Sequence, residues 1–192
     1  MHKLAIPIPE DEIRKLKTGD TVLLSGIVVL ARDAGHKLMV EERPKFLGDL
    51  LREGVIYHCG PVVKKTDGKW SFVAAGPTTS AREEPYQATV IEHYKVRGVI
   101  GKGGMGEATK EACRKFGAVY FHAVGGCGTS IARSVKEVID VHKLEEFGTP
   151  EAFWVIRVED FPVIVTIDSH GNSIHETVRE QSKKAYEELL KG

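Results

Sequence analysis

The chain has 192 residues, enough for one well-buried core and short for two, so it is read as a single domain over residues 1–192. Lysine plus arginine equals aspartate plus glutamate at 27 each, which leaves no overall field to steer the chain onto DNA, RNA or an acidic membrane surface. The start, MHKLAIPIPEDEIRKL, has neither an apolar signal core nor the Arg-rich look of a transit peptide, and no apolar run reaches membrane-spanning length; the expectation is a soluble cytoplasmic protein with no nucleic-acid or membrane partner.

In chain order, residues 6–20 predict an extended start, a short helix after Pro9 and a Gly-Asp turn. TVLLSGIVVLARDAGH (residues 21–36) reads as a buried strand ending in polar residues, and residues 42–54 have helical spacing closed by Gly54. VIYHCGPVVKK and KWSFVAAG predict strands joined by an Asp67-Gly68 hairpin turn. SAREEPYQATVIEHY follows as a helix with Pro85 in its first turn. Then come a strand (VRGVI), a loop (GKGGMG), a helix closed by Gly117, a strand (GAVYFHAV) and a second loop (GGCGTS). IARSVKEVIDVHKLEEFG reads as a helical run, FWVIRVEDFPVIVTID as two strands bent at residues 160–162, and the SHGN turn leads to a polar closing helix. Hairpins mixed with strand-helix units predict an α/β (mixed α+β) fold with a mixed sheet and flanking helices, not a purely parallel doubly wound one.

Two segments suggest a carboxylate site. GPTTSAR (residues 76–82) and GKGGMG (residues 101–106) each read as the approach to a helix start, where unpaired N–H groups and a partial positive charge favour anions, and Arg82 and Lys102 add full charges. Arg82 stands four residues after Thr78 and falls near it if a helix begins at the Thr pair; equally, Thr79 or Ser80 could serve only as a helix cap. GKGGMG, with Gly101 and Gly103, also matches the dinucleotide pattern G-x-G-x-x-G, but the following strand ends without the expected acid, and no Ser or Thr follows Lys102 as a Walker loop requires.

ARDAGHK puts Arg32, Asp33 and His36 just beyond a buried strand, as site residues or as a surface ion pair. His122 and His58 lie in apolar strands and read more readily as core histidines than as catalysts, while Gly125-Gly126 could admit a ligand or simply turn. Cys59, Cys113 and Cys127 are widely spaced without a C-x-x-C, which points to ordinary buried or loop thiols, neither a disulfide framework nor an iron–sulfur site.

Taken together, ARDAGHK, Gly60-Pro61, AGPTTSAR, IGKGGMG, YFHAVGG and EDFPVIVTID resemble the β subunit, or C-terminal domain, of class I fumarate hydratases and the related L-tartrate dehydratases. The resemblance implies a swivelling β/β/α domain and a partner α subunit whose cysteines hold a four-iron four-sulfur cluster, with no cofactor or metal on this chain. It implies that Arg32, Thr78, Arg82 and Lys102 contact a small dicarboxylate, with Thr78 near the proton that moves and therefore the catalytic candidate. His36, Thr79, Gly101, Gly103 and His122 stand as further candidates. Gly35 departs from the usual pattern, which bears on His36 more than on Arg32. The implied assembly is a heterodimer or a dimer of heterodimers. Fumarate against tartrate stays open, and a stand-alone small-anion-binding module is the reading of another class.

Overall fold

The computed structural model describes residues 1–190. The chain runs β1 (His2–Ile6), α1 (Glu10–Ile13), β2 (Thr21–Leu30), α2 (Asp33–Glu41), α3 (Gly48–Leu51), β3 (Val55–Tyr57), the hairpin β4 (Val62–Thr66) and β5 (Lys69–Ala74), and α4 (Glu84–Tyr94). It continues through β6 (Gly98–Gly101), α5 (Glu107–Phe116), β7 (Val119–His122), α6 (Gly128–Ala132), β8 (Val135–His142), α7 (Leu144–Phe147), β9 (Phe153–Ile167) and α8 (Ile174–Leu189). Short 3-10 turns at Lys45–Leu47 and Ser80–Arg82 precede α3 and α4.

Seven strands form one sheet in the order β1-β2-β3-β6-β7-β9-β8. β1, β2, β3, β6 and β7 are mutually parallel, and β9 runs antiparallel to β7 on one side and to β2 on the other, curling the sheet into a partial barrel. The mixed α/β architecture with a mixed sheet and flanking helices is the one the sequence predicts.

β2 shows why both faces are apolar. Val28 and Leu30 alternate with Val29 and Ala31: the first pair joins the core inside the barrel, the second the core beneath the helices. The inner core holds the fully buried Tyr57, Phe121, Trp154 and Phe161, and the β4–β5 hairpin covers it by setting Trp70 and Phe72 edge-on to Trp154 at 5.4 and 5.8 Å. The outer core packs Met39, Leu51, Val90, Ile91 and Cys113 from the helices onto the sheet.

Several expectations hold in detail. Asp67 and Gly68, both at positive φ, turn the hairpin, Pro85 lies in the first turn of α4, and Gly117 closes α5 in the left-handed region. Others are corrected. Residues 33–41 form a helix where residues 21–36 were expected as a strand ending in polar residues, and residues 42–54 hold a 3-10 turn and a single helical turn in place of one continuous helix. The expected helical run after Ser130 is broken by strand β8 between α6 and α7, and residues 153–167 are one kinked strand, not two, with Asp160 at φ 48°.

Candidate active site

Because β2, β3, β6 and β7 are parallel, their carboxyl ends deliver residues 31–33, 58–60, 101–103 and 123–126 to the same edge of the sheet, the edge where open α/β sheets bind ligands. Residues 76–80, returning from the β4–β5 hairpin, are stitched onto that edge by backbone. The Thr78 N–H donates to the His58 carbonyl at 2.7 Å, the Lys102 N–H donates to the Thr78 carbonyl at 3.2 Å, and the Ser80 N–H donates to the Lys102 carbonyl at 3.1 Å. Thr78 is thereby fixed between the ends of β3 and β6, partly exposed, and no group among the described residues hydrogen-bonds its hydroxyl. Lys102 follows directly on β6, and among the described residues it has no ion-pair partner.

The two arginines reach this edge with acidic partners. Arg32 Nη2 pairs with Glu151 Oε1 at 3.3 Å, while Glu151 Oε2 accepts from the Ala34 N–H at 3.0 Å, so one carboxylate holds both the guanidinium and the first turn of α2. Arg82 pairs with Asp33, the residue after Arg32. The Arg82 side chain is 54% exposed, and a pair this open is worth only about 0–1 kcal/mol. A substrate carboxylate gripped by two parallel hydrogen bonds can therefore displace Asp33 at little cost.

Behind the edge runs a buried hydrogen-bonded chain that spacing did not suggest. His36 Nδ1 lies 3.0 Å from the Arg32 carbonyl, Gln87 Oε1 lies 3.1 Å from His36 Nε2 and 2.8 Å from His58 Nε2, and His58 Nδ1 lies 2.8 Å from Ser80 Oγ, to which the Tyr120 hydroxyl also donates at 2.9 Å. The Arg32 carbonyl only accepts, so His36 Nδ1 carries the proton, and the neutral ring offers Nε2 as an acceptor; a flip of the Gln87 amide, exchanging Oε1 for the otherwise unpartnered Nε2, supplies the donor it needs. Burial pulls the His36 pKa down to about 4 and that of His58 well below its ordinary value, which keeps both rings neutral. His36 thus braces the backbone of Arg32 and His58 the side chain of Ser80, instead of facing the open edge.

The remaining candidates divide. Gly101 belongs to the scaffold: a Cβ there would overlap the Ser80 hydroxyl and stand 3.0 Å from the Tyr120 oxygen. Gly103, at φ +74°, makes the turn after Lys102 and has open space around it. Thr79 is exposed and bridges to Lys102 through backbone, and its side chain caps no helix; nor does the Ser80 hydroxyl, which serves His58 and Tyr120. His122 pairs in register with Gly101 and lies 6.2 Å from the His175 ring, on the flank of the edge.

The expected open helix start beyond GKGGMG is corrected. The Glu84 carboxylate accepts from the Gly106 N–H at 2.7 Å, the Thr109 N–H at 3.2 Å and the Thr109 hydroxyl at 2.7 Å, so the start of α5 is already filled by an acid of the chain itself. Glu84 and Glu151 are the site-shaping residues that sequence reasoning missed; Glu84 lies in the acidic first turn of α4 and looks like ordinary helix patterning. The cysteines do not converge: Cys59 is buried in the barrel core, Cys113 in the outer core, and Cys127 is exposed.

Fold and edge together define a mixed α/β domain that presents two guanidinium groups, an ammonium and a fixed threonine at the carboxyl ends of parallel strands. Residues 2–178 match the family described as Fumarase C-terminus, and the chain belongs to that family. It is 48% identical over 181 residues to a Geobacillus stearothermophilus protein that is a fumarate hydratase class I by name, covering 93% of this chain and 34% of that one. It is 42% identical over 186 residues to a Methanocaldococcus jannaschii protein and 41% identical over 172 residues to an Escherichia coli K12 protein, each an L(+)-tartrate dehydratase subunit beta by name. The chain therefore spans about a third of the Geobacillus relative and covers 93% and 85% of the other two. No described helix is long and apolar enough to cross a membrane.

Proposed function

We propose that this chain is the β subunit of a hydro-lyase that reversibly hydrates fumarate to L-malate, and that it supplies dicarboxylate-binding residues to an active site shared with an iron–sulfur α subunit. The observation that carries the reading is the convergence of Arg32, Thr78, Arg82 and Lys102, from three separate stretches of sequence, onto one sheet edge. In this reading Arg82 exchanges Asp33 for one substrate carboxylate, Lys102 offers an uncommitted charge, and Arg32, held by Glu151, addresses the other end of the substrate. Negative charge builds on the carboxylate beside the reacting carbon as its proton leaves, and these cations stabilise it there.

Thr78 is the proposed proton carrier. Its backbone is tied on both sides and its hydroxyl is uncommitted among the described residues, which suits a group that must meet a substrate proton. A threonine hydroxyl is a weak base at neutral pH, so an acidic group of the partner completes it. The family implies a four-iron four-sulfur cluster in the partner subunit, which when bound supplies a Lewis acid for the hydroxyl that adds or leaves. This chain's dispersed thiols do not fit a cluster, and the shared site requires a heterodimer or a dimer of heterodimers.

A second reading, the β subunit of an L-tartrate dehydratase, is favoured by the near full-length match to two relatives of that name. The test is anaerobic turnover of malate and L-tartrate by this chain, alone and mixed with an iron-reconstituted α-type chain, following product by ultraviolet absorbance. Activity confined to the mixture supports the split site, and the faster substrate chooses between the two. Silence on both substrates with the cluster intact favours a stand-alone anion-binding module.

A further inference from the structure

Beside the cations lies a pair of acids with no role in the reading above. Glu83 follows Arg82 at the end of the 3-10 turn and is fully buried. Among the described residues, no N–H or hydroxyl donates to either of its carboxyl oxygens or to Oδ1 of Asp33. The two carboxyl groups meet each other, and Oδ2 of Asp33 takes the Arg82 guanidinium. Two ionised carboxylates are acceptors only and cannot hydrogen-bond, so a proton held by one of them is the donor that joins the pair.

The surroundings decide which one holds it. Burial raises the Asp33 pKa, but the hydrogen bonds from Glu83 and Arg82 and the charge of Arg82 outweigh it and leave Asp33 below its ordinary value. Glu83 is pushed up to about 8, first by burial and then by the hydrogen bond and charge of Asp33. We propose that Glu83 is a positioning residue: its protonated carboxyl donates to Asp33 Oδ1, which leaves Asp33 Oδ2 as a singly charged anchor for the Arg82 guanidinium at the mouth of the site.

The inference rests on Arg82 as a substrate contact. With Glu83 protonated, the set of Glu83, Asp33 and Arg82 is neutral overall. When Glu83 ionises, the set carries one negative charge that repels a dicarboxylate and draws Arg82 inward. Asp33 of α2 and Arg82 of its own turn bear on Glu83 directly, and Tyr120 of β7 feels its charge; His36 interacts with Asp33, His58 with His36, and Arg32 is turned to Glu151. His36 and His58 stay neutral well below the range in which Glu83 titrates, and burial holds the Tyr120 phenol above it. Glu83 is the group of this set that changes charge near pH 8.

The test is the pH dependence of KM and kcat for malate in the assembled enzyme, from about pH 6 to about pH 10. In the wild type KM climbs about tenfold through the titration of Glu83 while kcat stays level, since Glu83 touches no reacting atom. Glu83→Gln, whose amide still donates to Asp33, keeps a low KM throughout, and Glu83→Leu raises KM at every pH. Coincident profiles for wild type and Glu83→Gln overturn the proposal. Infrared difference spectra of the full chain give a readout that needs no activity: a protonated-carboxyl C=O band present at neutral pH, lost at high pH and missing in Glu83→Gln. Its absence in the wild type also overturns the proposal. An assembled enzyme without hydro-lyase turnover removes the reading of the site, and the infrared band then decides the shared proton alone.

Discussion

The Arg32 guanidinium lies against the bare backbone of Gly60: a Cβ at residue 60 would stand 2.8 Å from Arg32 Nη1 and 2.9 Å from the Pro150 carbonyl oxygen. Arg32 reaches Glu151 only because residue 60 has no side chain. Gly60→Ala is therefore expected to push Arg32 off its course and raise KM for the dicarboxylate about tenfold. Steady-state kinetics of the assembled enzyme checks this, and an unchanged KM would show that Arg32 does not need this path.

The Thr78 hydroxyl has no hydrogen-bond partner among the described residues and the Arg82 side chain has only its exposed pair with Asp33, so in the proposed site their loss should separate activity from folding. Thr78→Ala is expected to lower kcat about 10²- to 10⁴-fold, the usual contribution of a positioned proton carrier. Arg82→Ala should raise KM, and Arg82→Lys should not restore it, because a point charge cannot grip a carboxylate with two hydrogen bonds. Urea unfolding of each variant should stay within about 0.5 kcal/mol of the wild type. Near-normal rates in both alanine variants would remove the site assignment.

Glu84 makes a prediction about the loop that carries Lys102. Replacing it by alanine strips the start of α5 of a charged cap with three contacts, and should cost about 1–2 kcal/mol. Hydrogen exchange should quicken at Gly106 and Thr109 before the rest of α5. Unchanged protection there would mean that water replaces the carboxylate without loss.

Acid should loosen the brace behind the edge. The His36 pKa is about 4 in the fold against 6.5 when unfolded, so the unfolded chain binds the extra proton first. The contribution of the neutral ring is fully present above pH 6.5 and is lost as pH falls from there toward 4, by about 3 kcal/mol at most. His58 shifts in the same direction and adds to the loss. Urea midpoints measured across this window should fall with pH, and the slope should lessen in His36→Gln. A flat midpoint in the wild type would contradict the buried neutral rings.

How far the molecule can be read from its sequence differs by element. The hairpin, α4 and α5 are legible because Asp67-Gly68, Pro85 and Gly117 mark their turns locally. β8 is not legible, for a physical reason: Val135, Val138 and Val141 all pack on the barrel core although they stand three apart, because register shifts between Val135 and Glu137 and between Val138 and Asp140 each insert a residue. Two bulges give a strand the spacing of a helix. The edge cations were legible as charges beside glycines and threonines. Glu151, which holds Arg32, Glu84, which caps α5, and Gln87, which links the two histidines, were not, since each meets its group through the fold and carries no local signature.

β9 has a further consequence, for how the molecule is made. Its residues 154–164 pair with residues 21–30 of β2, and the same strand also pairs with β7 and β8. During synthesis the hairpin and the βα units can form as they emerge, while β2 keeps an open edge until most of the chain has followed. Closure must then bring distant segments together, a step of high contact order that sets a slow final phase in folding. Until it happens, the open edge of the strongly apolar β2 is the segment most exposed to pairing with a neighbouring nascent chain.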